Sequence, residues 1–89
     1  MATFMAMPAI DRESAVPPYI QVANALRARI ESGEIPSGRA LPSLVKLEDE
    51  FGAARDTLRK AVQVLKDEER VQTVRGMGVF VLPLEPPQP

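Results

Sequence analysis

Between residues 19 and 30 the apolar positions Tyr19, Val22, Ala23, Leu26 and Ile30 follow one another at three- and four-residue spacing, with Gln21, Asn24, Arg27 and Arg29 on the other faces. That period predicts an amphipathic helix, stopped by Gly33. Ile35-Pro36-Ser37-Gly38 is turn chemistry, with proline fixing one φ and glycine free to take a positive one. The chain resumes at Leu41-Pro42-Ser43, where Ser43 is suited to cap a second helix with Leu47 and Phe51, and less firmly Leu44, as its core stripe. Gly52 ends that helix. A third helix over 55–67 buries Leu58, Ala61, Val62 and Leu65, and Ala61 is small enough to let helices approach closely. After Arg70 the pattern changes: 71–74 and 79–82 are β-branched and apolar around Arg75-Gly76-Met77-Gly78, whose glycines permit a tight reversal.

Residues 1–16 show no sustained period, and Pro17-Pro18 lets a helix begin but not pass through. The expected organisation is a flexible arm over 1–16, one domain over 17–82 and a Pro-rich, extended tail over 83–89, with no internal repeat. The expected fold class is mainly α with a small antiparallel β-hairpin: a winged helix-turn-helix of three helices and a two-stranded wing. A helix stopped by glycine, a very short turn, and a helix opening with Arg55 and Arg59 one turn apart can lay cationic side chains into a DNA major groove.

Composition narrows the chemistry. With 89 residues, 45% of them hydrophobic, the chain can build one small core and no second domain. A formal net charge of -1 argues against a wholly basic DNA-coating protein, so DNA affinity must come from charge asymmetry. Glu48, Asp49 and Glu50 precede the turn, whereas Arg55, Arg59, Lys60 and later Arg75 follow it, before Asp67, Glu68 and Glu69 weigh on the other side. The absence of cysteine and histidine removes disulfides, thiolate chemistry, the commonest general base and the commonest metal ligand. An enzyme is not expected, nor a cofactor, nor a metal, because no glycine-punctuated acidic loop surrounds the carboxylate runs. Gly76-Met77-Gly78 lacks the strand-to-helix context of a phosphate loop and reads as a wing turn. Tyr19, Phe51 and Phe80 read as core rather than base-stacking platforms. No apolar run reaches membrane-span length and the start lacks signal-peptide character, so a cytoplasmic location is expected.

The order of a helix, Ser32-Gly33-Glu34-Ile35-Pro36-Ser37-Gly38, Leu41-Pro42-Ser43, Arg55-Asp56-Thr57-Leu58-Arg59-Lys60-Ala61 and Gly76-Met77-Gly78-Val79-Phe80-Val81 resembles the N-terminal winged-helix domain of the GntR family of bacterial transcription regulators, over roughly 17–81. The resemblance implies that Arg55 and Arg59 contact DNA, that Asp56 and Thr57 approach bases, and that the wing residues Gly76, Met77 and Gly78 reach the minor groove. Ser43, Lys46, Lys60 and Arg75 complete the expected DNA-binding set. Asp56 is also a good first-turn residue for the helix dipole, and Thr57 is equally readable as a surface filler.

Four positions depart from the family pattern. Leu44 and Val45 stand where a Glu-Arg pair is usual, leaving Lys46 as the candidate phosphate contact; Ala54 replaces the capping serine; Met77 replaces a basic or polar wing tip, leaving Arg75 as the nearest cation. Glu69 and Arg70 replace a glycine and an apolar residue, and a left-handed backbone would strain Glu69, so a different turn is expected there.

The function implied is sequence-specific binding of double-stranded DNA by a transcription regulator, most naturally a repressor, as a homodimer on a palindrome. The alternative is a winged-helix module that binds another protein. The chain as given lacks the family's effector-binding domain, read either as a minimal regulator or as a fragment. Its tail is too short to line the roughly 300 Å³ pocket of a small-molecule effector, so binding without metabolite control is expected.

Overall fold

A computed structural model describes residues 10–83; residues 1–9 of the expected arm and 84–89 of the expected tail lie outside the described residues. The elements are α1 (Pro18–Ser32), α2 (Leu44–Phe51), α3 (Arg55–Asp67), β1 (Val71–Val74) and β2 (Gly78–Val81). Proline at the start of α1 fits a position whose N–H has no helical partner, and Gly33 closes the helix in the left-handed conformation (φ 86°). The Ser43 hydroxyl accepts from the Lys46 amide at 3.2 Å, which makes Ser43 the N-cap of α2; Gly52 (φ 64°) ends that helix.

The three helices pack on one core. Val22, Ala23 and Leu26 of α1, Leu47 and Phe51 of α2, and Leu58, Ala61, Val62 and Leu65 of α3 are buried together with Ile35, Leu41, Ala53, Val71 and Val81. Ala61 is fully buried, as the small residue needed where helices meet. Ion pairs brace the outside: Arg27 of α1 meets Glu68 at 2.6 Å, and Arg70 meets both Glu68 and Glu31 at 3.0 Å. Arg29 pairs with Glu50 and lies 5.5 Å from the Phe51 ring centroid, joining α1 to α2.

β1 and β2 pair antiparallel in the register Val71↔Val81 to Val74↔Gly78, leaving Arg75, Gly76 and Met77 as the turn. β2 thus begins one residue earlier than its side-chain pattern suggests. A further piece of sheet was not legible in the sequence. Residues 38–41 lie along the other edge of β2, through Gly38 N–H to Val81 O, Val81 N–H to Arg39 O and Leu41 N–H to Val79 O, each 2.8 Å. An Ala40↔Phe80 bridge marks this contact. The loop before α2 is therefore stitched to the wing, protecting an edge that would otherwise be open.

Two expectations need correction. The arm assigned to 1–16 is tied down where it is described: the Asp11 amide donates to Gln21 Oε1 at 2.8 Å, while Gln21 Nε2 donates to the Asp11 and Val16 carbonyls at 2.8 and 2.7 Å. Ile10 also packs against the core. The end of α3 does keep the left-handed turn, with Glu69 itself at φ 61°. Arg70 N–H reaches Leu65 O at 3.0 Å and Glu69 N–H reaches Lys66 O at 2.9 Å, the paired bonds that close a helix through a left-handed residue. These bonds satisfy the terminal carbonyls and offset the cost of a side chain in that conformation. Glu69→Gly should accordingly stabilise the fold by about 1 kcal/mol, the excess strain of an L side chain over the entropy glycine adds. Urea denaturation measures it, and an unchanged or lower midpoint would show that no strain is held there.

Candidate nucleic-acid interface

α3 has two faces. Leu58, Ala61, Val62 and Leu65 turn inward, whereas Arg55, Asp56, Arg59, Lys60 and Gln63 are exposed along one stripe. Thirteen residues make a rod about 20 Å long, enough to cross a major groove about 12 Å wide. Thr57 is half-buried at the flank of that stripe. Asp56 lies in the first turn of α3, where a carboxylate favours the helix dipole, and it accepts from Arg59 Nη1 at 3.4 Å. Both side chains of that pair are well exposed, at 61% and 87%, so it holds Arg59 loosely.

Arg55 is held more firmly. Its Nε donates to Glu48 Oε2 at 2.7 Å and its Nη2 to Glu48 Oε1 at 3.3 Å, a two-pronged contact across the helix-turn-helix. The hydrogen bond from Arg55 holds the Glu48 carboxyl below the usual carboxylate range and raises the Arg55 guanidinium in turn. Sequence reasoning missed this pair. The available signal was an acid one turn before the end of α2 and a cation at the first position of α3, but their meeting depends on the angle between the helices.

The turn has a second visitor: Arg12 Nη2 donates to the Gly52 carbonyl at 3.1 Å, bringing a cation from outside the helices to the mouth of α3. Ala54, the N-cap of α3, offers no side-chain acceptor to the free amides behind it. Ala54→Ser should add about 0.5–2 kcal/mol, read as a higher melting temperature. A lower one would mean that the serine cannot reach the amides.

Lys46 is exposed in the first turn of α2, next to its cap Ser43. Arg75, Gly76, Met77 and Gly78 are exposed at the wing, Gly76 (φ 79°) and Gly78 (φ 125°) taking the backbone that the reversal requires, and Met77 is 69% exposed. Among the described residues Lys46, Lys60 and Arg75 make no ion pair, whereas Arg55 and Arg59 do. An open groove of about 390 Å³ is lined by Leu44, Leu47, Val62 and Val79 together with Ser43 and Arg59. Its walls among the described residues come from α2, its preceding loop, α3 and the wing strand. No helix among the described residues is long and apolar enough to cross a membrane. Nor does any group of three or more acidic side chains gather there as metal ligands would.

The sequence model of the gntR family of bacterial regulatory proteins matches residues 18–81, the span from α1 to the end of the wing. The chain belongs to that family. Among its gntR relatives, the mannosyl-D-glycerate transport/metabolism system repressor MngR of Escherichia coli is 37% identical over 65 residues, 73% of this chain and 27% of MngR. The transcriptional repressor NagR of Bacillus subtilis is 33% identical over 72 residues, 81% of this chain and 30% of NagR. The chain therefore spans less than a third of the length of these curated relatives. Solved gntR-type domains superpose on it. The AraR DNA-binding domain, determined in complex with operator ORX1, gives a TM-score of 0.72 at 33% identity, covering 75% of this chain and 81% of that one. The gntR-family transcription factor YtrA from Sulfolobus acidocaldarius gives 0.75 at 33% identity, covering 85% and 80%. The winged helix-turn-helix fold is thereby established, wing included.

Proposed function

We propose that this chain is a sequence-specific DNA-binding transcription regulator, a repressor that works in the cytoplasm and occupies a palindromic operator as a homodimer. The observation that carries the reading is the exposed Arg55, Arg59 and Lys60 stripe of α3, backed by a buried Leu58-Ala61-Leu65 face, in a chain of the gntR family. Such a helix inserts as a rigid body, because the core behind it fixes its depth and angle. Support for DNA as the partner comes from AraR, whose DNA-binding domain of the same fold has been seen on operator DNA.

The roles follow from chemistry. Arg55 and Arg59 meet the major groove, with Asp56 and Thr57 beside them; Lys60 and Lys46 neutralise phosphates; Ser43 holds the first turn of α2 so that Lys46 points outward. Arg75 enters the minor groove, whose negative potential attracts arginine, with Gly76, Met77 and Gly78 allowing close approach to the backbone. The acids elsewhere on the surface keep the net charge at -1 and so limit binding to unrelated DNA.

Selecting bound duplexes from a random pool, then measuring affinity for the winner over a salt series, tests this. The expected result is one enriched, two-fold symmetric site and an affinity that falls steeply with salt. An unenriched pool together with salt-insensitive capture of another protein would instead support a winged-helix docking module.

A further inference from the structure

The two arginines of α3 are not equivalent. Arg55 is gripped side-on by Glu48, through Nε and Nη2, while Arg59 has one long contact to a carboxylate that is itself 87% exposed. A side-on grip uses one edge of the guanidinium plane. The opposite edge, Nη1 with the outward hydrogen of Nη2, makes no hydrogen bond among the described residues. Two parallel N–H groups on a fixed plane are what guanine O6 and N7 accept in the major groove. A phosphate makes no such demand, since its oxygens can be met from many directions.

From this we infer that Glu48 is a positioning residue: it locks the Arg55 side chain so that its free edge reads a guanine, while Arg59 remains mobile and serves the phosphate backbone. The inference rests on the DNA-binding reading above and assigns the division of labour within it. Electrostatics supports it. A carboxylate beside the recognition helix repels phosphates, so Glu48 lowers affinity for all DNA alike; ordering Arg55 in advance returns something only at sites that offer the matching base. Glu48, a carboxylate at neutral pH, is held further below its ordinary value by the hydrogen bond from Arg55, so the lock is present under ordinary conditions. Glu48 sits inside α2 and is partly exposed, and its backbone carbonyl, not its side chain, takes the helix-closing bond from Gly52. Its replacement therefore leaves the fold in place.

The test compares wild type, Glu48→Ala, Glu48→Gln and Arg55→Ala, each alone and the Glu48 variants also combined with Arg55→Ala. Each is titrated against the selected duplex and against duplexes in which every base pair is changed in turn, with melting temperature recorded alongside. Glu48→Ala should raise affinity for unrelated duplexes a fewfold and lower discrimination at one G·C pair per half-site by about tenfold, a part of what a bidentate arginine contributes. Glu48→Gln keeps one acceptor oxygen and should fall between. With Arg55 already alanine, discrimination at that pair should not respond to Glu48. Unchanged discrimination in Glu48→Ala, or an equal loss in the Arg55→Ala background, overturns the positioning role. A wild type that selects no duplex overturns the DNA-binding reading and this inference with it, so the two failures are told apart.

Discussion

Replacing Arg55 by alanine should cost about 1–3 kcal/mol at the selected duplex, and Arg59→Ala a similar amount, but the two losses should differ in kind. Arg55→Ala should relax the preference at one base position. Arg59→Ala should weaken binding to every sequence and lower the slope of log affinity against log salt by about one unit, because one fewer counterion is displaced from the phosphates. The double variant should lose roughly 2–6 kcal/mol, short of or beyond strict additivity because side chains four apart on a helix are neighbours. The fold should survive both changes. Arg55 and Arg59 are exposed, their partners Glu48 and Asp56 can take water in their place, and neither pair belongs to the buried cluster. Circular dichroism and electrophoretic titration together check this; full binding by a double variant of normal helicity would remove α3 from the interface.

The opposite combination, a weakened fold and binding weakened only through it, is expected of Leu58→Ala. Leu58 follows Arg55 by three residues on the same helix, yet it is fully buried, within the cluster that holds Val22, Leu26, Leu47 and Phe51. Truncation removes its apolar surface and leaves a cavity that helices from three directions cannot fully close, at a cost of about 2–5 kcal/mol. A domain of this size begins with only about 5–10 kcal/mol, so the variant should lose a large part of its margin and unfold at a clearly lower urea concentration. Leu58→Met, which conserves volume, should cost less than about 1.5 kcal/mol and keep DNA binding. Urea unfolding of the three proteins decides it: an alanine variant with a wild-type midpoint would mean that α3 is not anchored through Leu58. Set beside the arginine variants, this pair separates what places the helix from what the helix touches.

Much of that placement can be read along the chain, because helices and hairpins are built from neighbours. The spacing of Val22, Ala23 and Leu26, of Leu47 and Phe51, and of Leu58, Ala61, Val62 and Leu65 marks three helices and the faces they bury. Gly33, Ser43 and Gly52 mark where α1 ends and α2 begins and ends, since a left-handed closing residue and a hydroxyl cap are local demands. The alternation of β-branched residues around Gly76 marks the wing.

The remainder depended on how these pieces pack. Residues 38–41 carry no strand pattern of their own, and became a sheet edge only when the core brought them alongside β2. The chain over 10–16 shows no period, but the side chain of Gln21, one turn into α1, offers the amide that ties it down. Glu69 takes a backbone that its side chain disfavours because the bonds back to Leu65 and Lys66 are made nowhere else. Arg55 and Arg59 look alike in the sequence, both cations one turn apart on an exposed face. Only the crossing of α2 over α3 sets Glu48 against one of them and leaves the other with Asp56 alone. The sequence determined which residues form each element and which face each element buries, since those are set by contacts three or four residues apart. Which charges meet across elements was decided by the tertiary structure, because an ion pair exists only at the distance and angle that the buried core imposes.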